Sequence, residues 1–419
     1  MTTETPVELL RFATVGSVDD GKSTLIGRLL VDTRQLFDDQ LDAVAEASAK
    51  RGVGDLDLSF VTDGLRAERE QGITIDVAYR YASTPTRKFV IADCPGHVQY
   101  TRNMATGAST ADLALVVLDA NQGLKEQTRR HLCIAALLGV RNIIVAANKM
   151  DMADWDRAPY DAVVKQIDEL GERLGFESSL VIPVSALMGD NVVERSNEES
   201  WYEGPTVLEA LEQATAGSWS SSNSGARLPI QWVLRQNGGG RTYAGMVNGA
   251  PLHVGDAVTL LPQNLETTVR AIKGVRGDGR EAAPGLSVDV DLASDTDAGR
   301  GDMLATAPLP TVTREIEATV CWFGETPLST GTRLRLKHTS RTTPARVSDL
   351  HGVVDIATLD VAPGEQLAMN EIGLVTIQTA EPLVVDDYRD NRVTGSFVLI
   401  DERTNATVAA GMVGHVDFL

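Results

Sequence analysis

Gly16-Ser-Val-Asp-Asp-Gly-Lys-Ser-Thr24 decides the fold of this chain. It matches G-x-x-x-x-G-K-[ST], a loop whose backbone amides face phosphate oxygens. A strand-like apolar run, Leu9–Val15, precedes it, and a helix-like run, Leu25–Leu30, follows. Strand, glycine-rich loop and helix is the context this pattern needs. Gly16 and Gly21 admit backbone angles that other residues resist. The helix start behind them presents N–H groups and a positive dipole end to an anion. Lys22 has the reach for β- and γ-phosphates, and Ser23 has a hydroxyl for Mg²⁺. We therefore expect a nucleotide-phosphate site built from Gly16, Ser17, Val18, Asp19, Asp20, Gly21, Lys22, Ser23 and Thr24.

Outward from the loop, strand-like and helix-like runs alternate up to about residue 215. The strands are Leu9–Val15, Phe89–Ala92, Leu113–Leu118, Asn142–Ala147 and Leu180–Val184, with helices such as Gln127–Leu138 and Tyr160–Leu174 between them. This alternation predicts an α/β domain over residues 1–216, with a mostly parallel sheet and helices on both faces. Its functional loops should stand at the carboxyl ends of strands. Gly217 to Gly225 is rich in Ser and Gly, and predicts a linker over residues 217–226. Beyond it come short β-like runs punctuated by Gly and Pro: Leu228–Arg235, Ala257–Leu261, Thr267–Ile272, Ser287–Leu292 and Ile316–Trp322. A break near Ala307-Pro-Leu-Pro-Thr311 divides them. Two small antiparallel β-barrels are expected, over residues 227–309 and 310–419.

Further motifs sit at predicted strand ends. Asp93-Cys94-Pro95-Gly96 follows Phe89–Ala92. An Asp there can reach Mg²⁺ through water, and the Gly96 amide can sense the γ-phosphate. Such a D-x-x-G is common by itself; its place after a phosphate loop gives it weight. Asn148-Lys149-Met150-Asp151 follows Asn142–Ala147. Asp151 can accept from guanine N1–H and the exocyclic amine, a donor pair adenine lacks. Against adenine that carboxylate is left unpaired, and sites of this kind discriminate by roughly 10⁴-fold. The competing reading of Asn148 and Asp151 is a helix cap and a turn residue. In Ser185-Ala186-Leu187 a backbone amide can meet guanine O6. Thr74, in Gln71-Gly-Ile-Thr-Ile-Asp76, is placed to supply a second hydroxyl to Mg²⁺ from a loop ordered by the γ-phosphate; a β-branched strand residue is the alternative. His97 is the candidate to orient the attacking water. Catalysis is thus expected of His97, Lys22 and Thr74, and metal ligation of Ser23, Thr74 and, through water, Asp93.

Composition bounds the rest. The chain has 419 residues, a formal net charge of −20 and 43% hydrophobic residues, without an apolar run of membrane-spanning length. Residues 1–225 hold 21 Lys and Arg against 34 Asp and Glu, and residues 226–419 hold 17 against 24. Neither part is basic, which weighs against non-specific nucleic-acid binding. The start, Met1-Thr-Thr-Glu-Thr-Pro, lacks the basic opening of a signal peptide. Three cysteines, Cys94, Cys133 and Cys321, read as reduced thiols of a cytoplasmic protein. Cys94 has no base partner in the sequence that would mark a nucleophile. His131, His253, His338, His351 and His415 show no metal spacing. The run Arg66-Ala-Glu-Arg-Glu70 reads as a solvated helix face.

These motifs in this order resemble translation-factor-type GTPases. Three stretches narrow the likeness: residues 16–30, Asp63 to Arg80, and His97-Val-Gln-Tyr-Thr-Arg-Asn-Met104. They resemble the GTPase (large) subunit of bacterial sulfate adenylyltransferases, as does Asp390 to Asp401. Elongation factors usually carry His where Asp20 stands. Ala186 to Val192 and Trp201 to Pro205 are similar to elongation factor 1A-like proteins as well. The resemblance implies GTP and Mg²⁺ as ligands and a small catalytic subunit as partner, in a heterodimer or higher assembly. That subunit would join ATP and sulfate into adenosine 5′-phosphosulfate, driven by GTP hydrolysis here. One phosphate loop, and that one with a guanine motif, fits this division of labour. Some members of the family continue into an adenylylsulfate kinase domain; none is expected within these residues. Two alternatives stand beside this reading: a translation factor carrying aminoacyl-tRNA, and a switch that only binds partners in its GTP state.

Overall fold

β1 (Leu9–Val15) runs straight into the phosphate loop, and α1 (Lys22–Asp32) leaves it. There follow β2 (Ala78–Ser83), β3 (Lys88–Asp93), α2 (Thr101–Ala108), β4 (Leu113–Asp119), α3 (Glu126–Leu137), β5 (Asn142–Asn148), α4 (Arg157–Leu174), β6 (Ser178–Pro183) and α5 (Val207–Gln213). The computed structural model describes residues 8–35, 58, 74, 76–198, 200–215, 224–235, 240–274 and 279–414. The run 66–70, Gln71 to Ile73, His415 and the linker from 217 to 223 lie outside the described residues. The chain divides between Gly217 and Ser218 into two units.

In the first unit the strands are ordered β2-β3-β1-β4-β5-β6. All neighbours are parallel except β2 and β3. The mostly parallel sheet expected from the alternation is therefore present, with an antiparallel edge strand added. All seven residues of β4, Leu-Ala-Leu-Val-Val-Leu-Asp, are buried, as a strand covered on both faces requires. Leu10, Phe12, Leu25, Ile26, Leu115, Ile144 and Ile182 form one core between the sheet and its helices. Two helices are capped by side chains. Asp156 caps α4 by accepting from Ala158 N–H, and Gly175 ends it in the left-handed region at φ 69°. Thr206 and Glu209 form a reciprocal capping box on α5. The order reverses at β1, with β3 on one side and β4 on the other, and a crevice opens at its carboxyl end.

The second unit holds two closed, six-stranded antiparallel barrels. The first uses β7 (Ala226–Arg235), β8 (Arg241–Met246), β9 (Ala257–Leu261), β10 (Leu265–Lys273), β11 (Ser287–Leu292) and β12 (Met303–Ala305). It closes where β12 pairs with β7. The second uses β13 (Thr311–Trp322), β14 (Arg333–His338), β15 (Arg341–Val354), β16 (Ile372–Val385), β17 (Ser396–Ile400) and β18 (Thr407–Val413), and closes where β14 pairs with β15. Closure leaves neither barrel an open edge. Arg227, 1% exposed, joins them. Its Nε and Nη2 meet the two Asp386 oxygens at 3.0 Å each. Its other N–H groups donate to the carbonyls of Ala226, Thr306 and Pro308, so all five guanidinium donors are used.

Candidate nucleotide-binding site

The loops after β1, β3, β5 and β6 meet at the crevice. Gly16 has φ 152° and Gly21 φ 92°. A Cβ on Gly16 would stand 2.1 Å from the Val117 carbonyl oxygen, so the loop packs on β4 at a distance only glycine permits. Lys22 begins α1 and is 7% exposed. Its Nζ donates to the carbonyls of Gly16 at 3.0 Å and Ser17 at 2.8 Å. Burial lowers its ammonium below the ordinary lysine value, against the opposing pull of Asp93 and Asp20. Ser23 and Thr24 are half-buried in the first turn.

Asp20 contributes a brace. Its buried carboxylate accepts from Ser17 N–H at 3.1 Å and pairs with Lys125 Nζ at 2.6 Å. Ser17 Oγ lies 2.9 Å from Thr128 Oγ1. Asp19 holds the left-handed region at φ 64°. Gly96 abuts the same loop: a Cβ there would stand 2.4 Å from Lys22 Nζ and 2.8 Å from the Gly16 oxygen. Asp93, at the end of β3, is 1% exposed, and Thr14 Oγ1 lies 3.4 Å from its Oδ1. Cys94 turns inward. Its amide donates to the Thr14 carbonyl and its thiol to those of Ala92 and Met104, which gives it a packing role. Burial raises the Cys94 thiol pKa and pushes that of Cys133 up to about 12, so both stay protonated. Pro95 is buried, and His97 is half-buried beside Tyr100, ring centroids 6.4 Å apart. Thr74 is half-buried in irregular backbone before β2, rather than in a strand.

Asn148 acts as a stitch, not as a helix cap. Its Nδ2 donates to the Asp20 carbonyl at 2.8 Å and its Oδ1 accepts from Ala186 N–H at 2.9 Å. The phosphate loop and the loop after β6 are thereby joined through one amide. Met150 is buried, its N–H donating to the Val184 carbonyl at 3.2 Å. Asp151 is half-buried, and its carboxylate has no hydrogen bond from a described residue. Ser185 and Ala186 are buried, and Leu187 is 61% exposed.

Lys149 has φ 66° and a partner the motifs did not reveal: its Nζ lies 3.0 Å from Asp119 Oδ2. Asp119 also accepts from Asn121 N–H and Gln122 Nε2. Burial pushes its carboxyl up, but the bonds from Lys149, Asn121 and Gln122 outweigh this and hold it below the usual carboxylate range. Asp119 pairs in register with Asn148, so aligning the ends of β4 and β5 would have found it. Lys125, Thr128 and Arg28 also escaped the sequence reading. Backbone amides at a helix start and one buried lysine have the chemistry to take polyphosphate, and a pinned loop carrying a half-buried carboxylate has that to take a base.

The elongation factor Tu GTP binding domain family matches residues 7–216, and the GTP-eEF1A C-terminal domain-like family matches residues 315–414. The bifunctional enzyme CysN/CysC of Mycobacterium tuberculosis H37Rv is 49% identical over 97% of this chain and 67% of its own length. Sulfate adenylyltransferase subunit 1 of Laribacter hongkongensis is 46% identical over 97% of this chain and 85% of its own. That of Aeromonas salmonicida is 47% identical over 97% and 86%. The chain belongs to the sulfate adenylyltransferase subunit 1 family. This family is of the translation-factor GTPase type, and the residues matching its GTP binding domain include every loop just described. No helix among the described residues is long and apolar enough to cross a membrane.

Proposed function

We propose that this chain is the GTP-hydrolysing subunit of a sulfate adenylyltransferase, working in the cytoplasm with a smaller catalytic subunit. That partner forms adenosine 5′-phosphosulfate and pyrophosphate from ATP and sulfate, the first step of sulfate assimilation, and GTP hydrolysis here drives it. One observation carries the reading. Asn148 ties a complete phosphate loop to the loop beside Asp151, in a chain 46% identical over 97% of its length to a sulfate adenylyltransferase subunit 1.

In this reading Asp151 selects guanine, and the loop at Ser185 to Leu187 meets O6. The loop amides and Lys22 bind the phosphates, and the Gly96 amide senses the γ-phosphate. His97 orients a water for in-line attack. The donors around Ser23 and Asp93 are oxygens, and among the described residues no cluster of three His, Cys, Asp or Glu would hold a metal alone. That set fits Mg²⁺, whose coordination is completed by phosphate oxygens and water. Ser23, Thr74 and, through water, Asp93 would hold the ion, which neutralises charge on the β- and γ-phosphates. Loss of the γ-phosphate releases Thr74 and the segment after Gly96. Residues 1–216 carry this chemistry, and the barrels 227–309 and 310–419 relay it to the partner.

The test is reconstitution with the small subunit, ATP, sulfate and pyrophosphatase. GTP should raise the yield of adenylylsulfate, and the Lys22→Ala chain should not respond. No increase with GTP on the native chain would refute the coupling. Normal GTP hydrolysis by Lys22→Ala would refute the site.

A further inference from the structure

Arg28 stands on α1, one turn past Thr24, yet it reaches a different loop. Its Nε donates to the Ala186 carbonyl at 3.4 Å, and its Nη2 donates to the Leu187 carbonyl. Its Nη1 lies 3.6 Å from Asp32 Oδ1, one turn further along the helix, which steadies the guanidinium. Gly189, at φ 94°, lies against the arginine stem: a Cβ there would stand 3.4 Å from Arg28 Cδ.

A peptide unit is planar, with its C=O and N–H pointing in opposite directions. Holding the Ala186 oxygen therefore sets the direction of the Leu187 N–H. The other amides of this loop are committed. Ser185 N–H donates to the Asp190 carbonyl at 3.2 Å, and Gly189 N–H to that of Ser185 at 2.8 Å. Ala186 N–H donates to Asn148 Oδ1 at 2.9 Å, and Met188 N–H to Ser185 Oγ at 3.3 Å. From Ser185 to Gly189, only the Leu187 amide has no acceptor among the described residues.

We infer that Arg28 is a positioning residue for base recognition: it holds the carbonyls of Ala186 and Leu187 and so aims the free Leu187 amide at guanine O6. The inference rests on the GTP reading above and deepens it. The helix that carries Lys22 and Ser23 at its start also carries the residue that sets the base-facing amide. Phosphate and base ends of the ligand are thereby held by one rigid element.

Binding of GTP, ITP and 6-thio-GTP to the native chain, Arg28→Ala and Arg28→Lys tests it. ITP keeps O6 and lacks the exocyclic amine; 6-thio-GTP keeps the donors that Asp151 reads and replaces O6 by a poor acceptor. Arg28→Ala should weaken GTP and ITP by about tenfold and 6-thio-GTP by less than about threefold, since only the first two lose a well-made hydrogen bond. Arg28→Lys keeps the charge beside Asp32 but lacks the planar fork, and should show the same selective pattern, reduced in size. It reports even if Arg28→Ala fails to fold. Equal losses for all three nucleotides, or no loss for GTP, would overturn the inference. A native chain that binds ATP as tightly as GTP would instead overturn the GTP reading itself.

Discussion

Asp20 and Lys125, far apart in sequence, meet at 2.6 Å under the phosphate loop, with the carboxylate fully buried and the lysine side chain 29% exposed. Asp20 also accepts from Ser17 N–H, so it closes the loop on itself and fastens it to the start of α3. Asp20→Ala strands the Ser17 amide and removes the counter-charge of Lys125, a loss of about 2–4 kcal/mol. Lys125→Met leaves the Ser17 bond in place but strips the fully buried carboxylate of its counter-charge, a loss of about 3–5 kcal/mol. Urea unfolding of the two variants checks the order. A smaller loss for Lys125→Met than for Asp20→Ala would mean that the Ser17 bond, rather than the ion pair, carries the brace.

Two glycines of the site should respond differently to alanine. At Gly16 the new Cβ meets Val117 backbone at 2.1 Å in a conformation that alanine resists. The sheet must shift, at a cost of roughly 3 kcal/mol or more. At Gly96 the new Cβ meets the flexible tip of Lys22 at 2.4 Å and also the Gly16 carbonyl oxygen at 2.8 Å, but without the left-handed φ of Gly16. Gly96→Ala should lose stability, though less than Gly16→Ala, and should lose GTP turnover, because Lys22 is displaced. Thermal unfolding and GTP hydrolysis, measured on both variants, separate the two cases; a Gly96→Ala chain with full turnover contradicts the account.

Asp119 makes a testable case for Lys149. Asp119→Asn keeps the shape but loses the charge that holds the ammonium, and GTP affinity should fall by about tenfold. The carboxyl is held below its usual range. Its support is therefore complete at neutral pH and disappears only as pH falls through that lowered value. Unchanged affinity in Asp119→Asn would show Lys149 to be positioned by its own backbone.

His131, fully buried, has its pKa lowered to about 3, chiefly by burial and also by Lys22 and Arg130. The unfolded chain takes up this proton below about pH 6.5 while the folded chain does not, so stability falls with pH between about 6.5 and 3. The slope for this one group is at most about 1.4 kcal/mol per pH unit. His338, also lowered mainly by burial, acts in the same direction. His131→Gln should flatten the acid limb of a stability–pH curve by close to one proton. An unaltered limb would place the acid sensitivity in other groups.

What could be read in advance depended on how local each signal was. β1 was legible to the residue because an apolar run ends abruptly at a glycine loop. β9 and β11 were legible between turn residues. β2 was not: Tyr79 and Tyr81 are 45% and 73% exposed, so its aromatic residues face solvent, against the usual pattern. α2 was missed because its buried side is Thr101, Met104, Ala105, Gly107 and Ala108, too small to show a helical period. In the site, the motif residues were visible and their ties were not. Nothing near Arg28 announces the Ala186 carbonyl, and nothing near Lys125 announces Asp20. Such pairs exist only once the sheet has set strand ends side by side.

The buried guanidinium between the barrels has a thermodynamic consequence. Arg227 belongs to the first barrel, and Asp386 follows the last residue of β16 in the second. Unfolding either barrel alone would break the Arg227–Asp386 pair and open the interface that buries it, losing the paired, desolvated bonds that both barrels share. The two barrels should therefore melt in a single cooperative transition. Asp386→Ala removes the shared carboxylate and should split that transition into two steps in calorimetry.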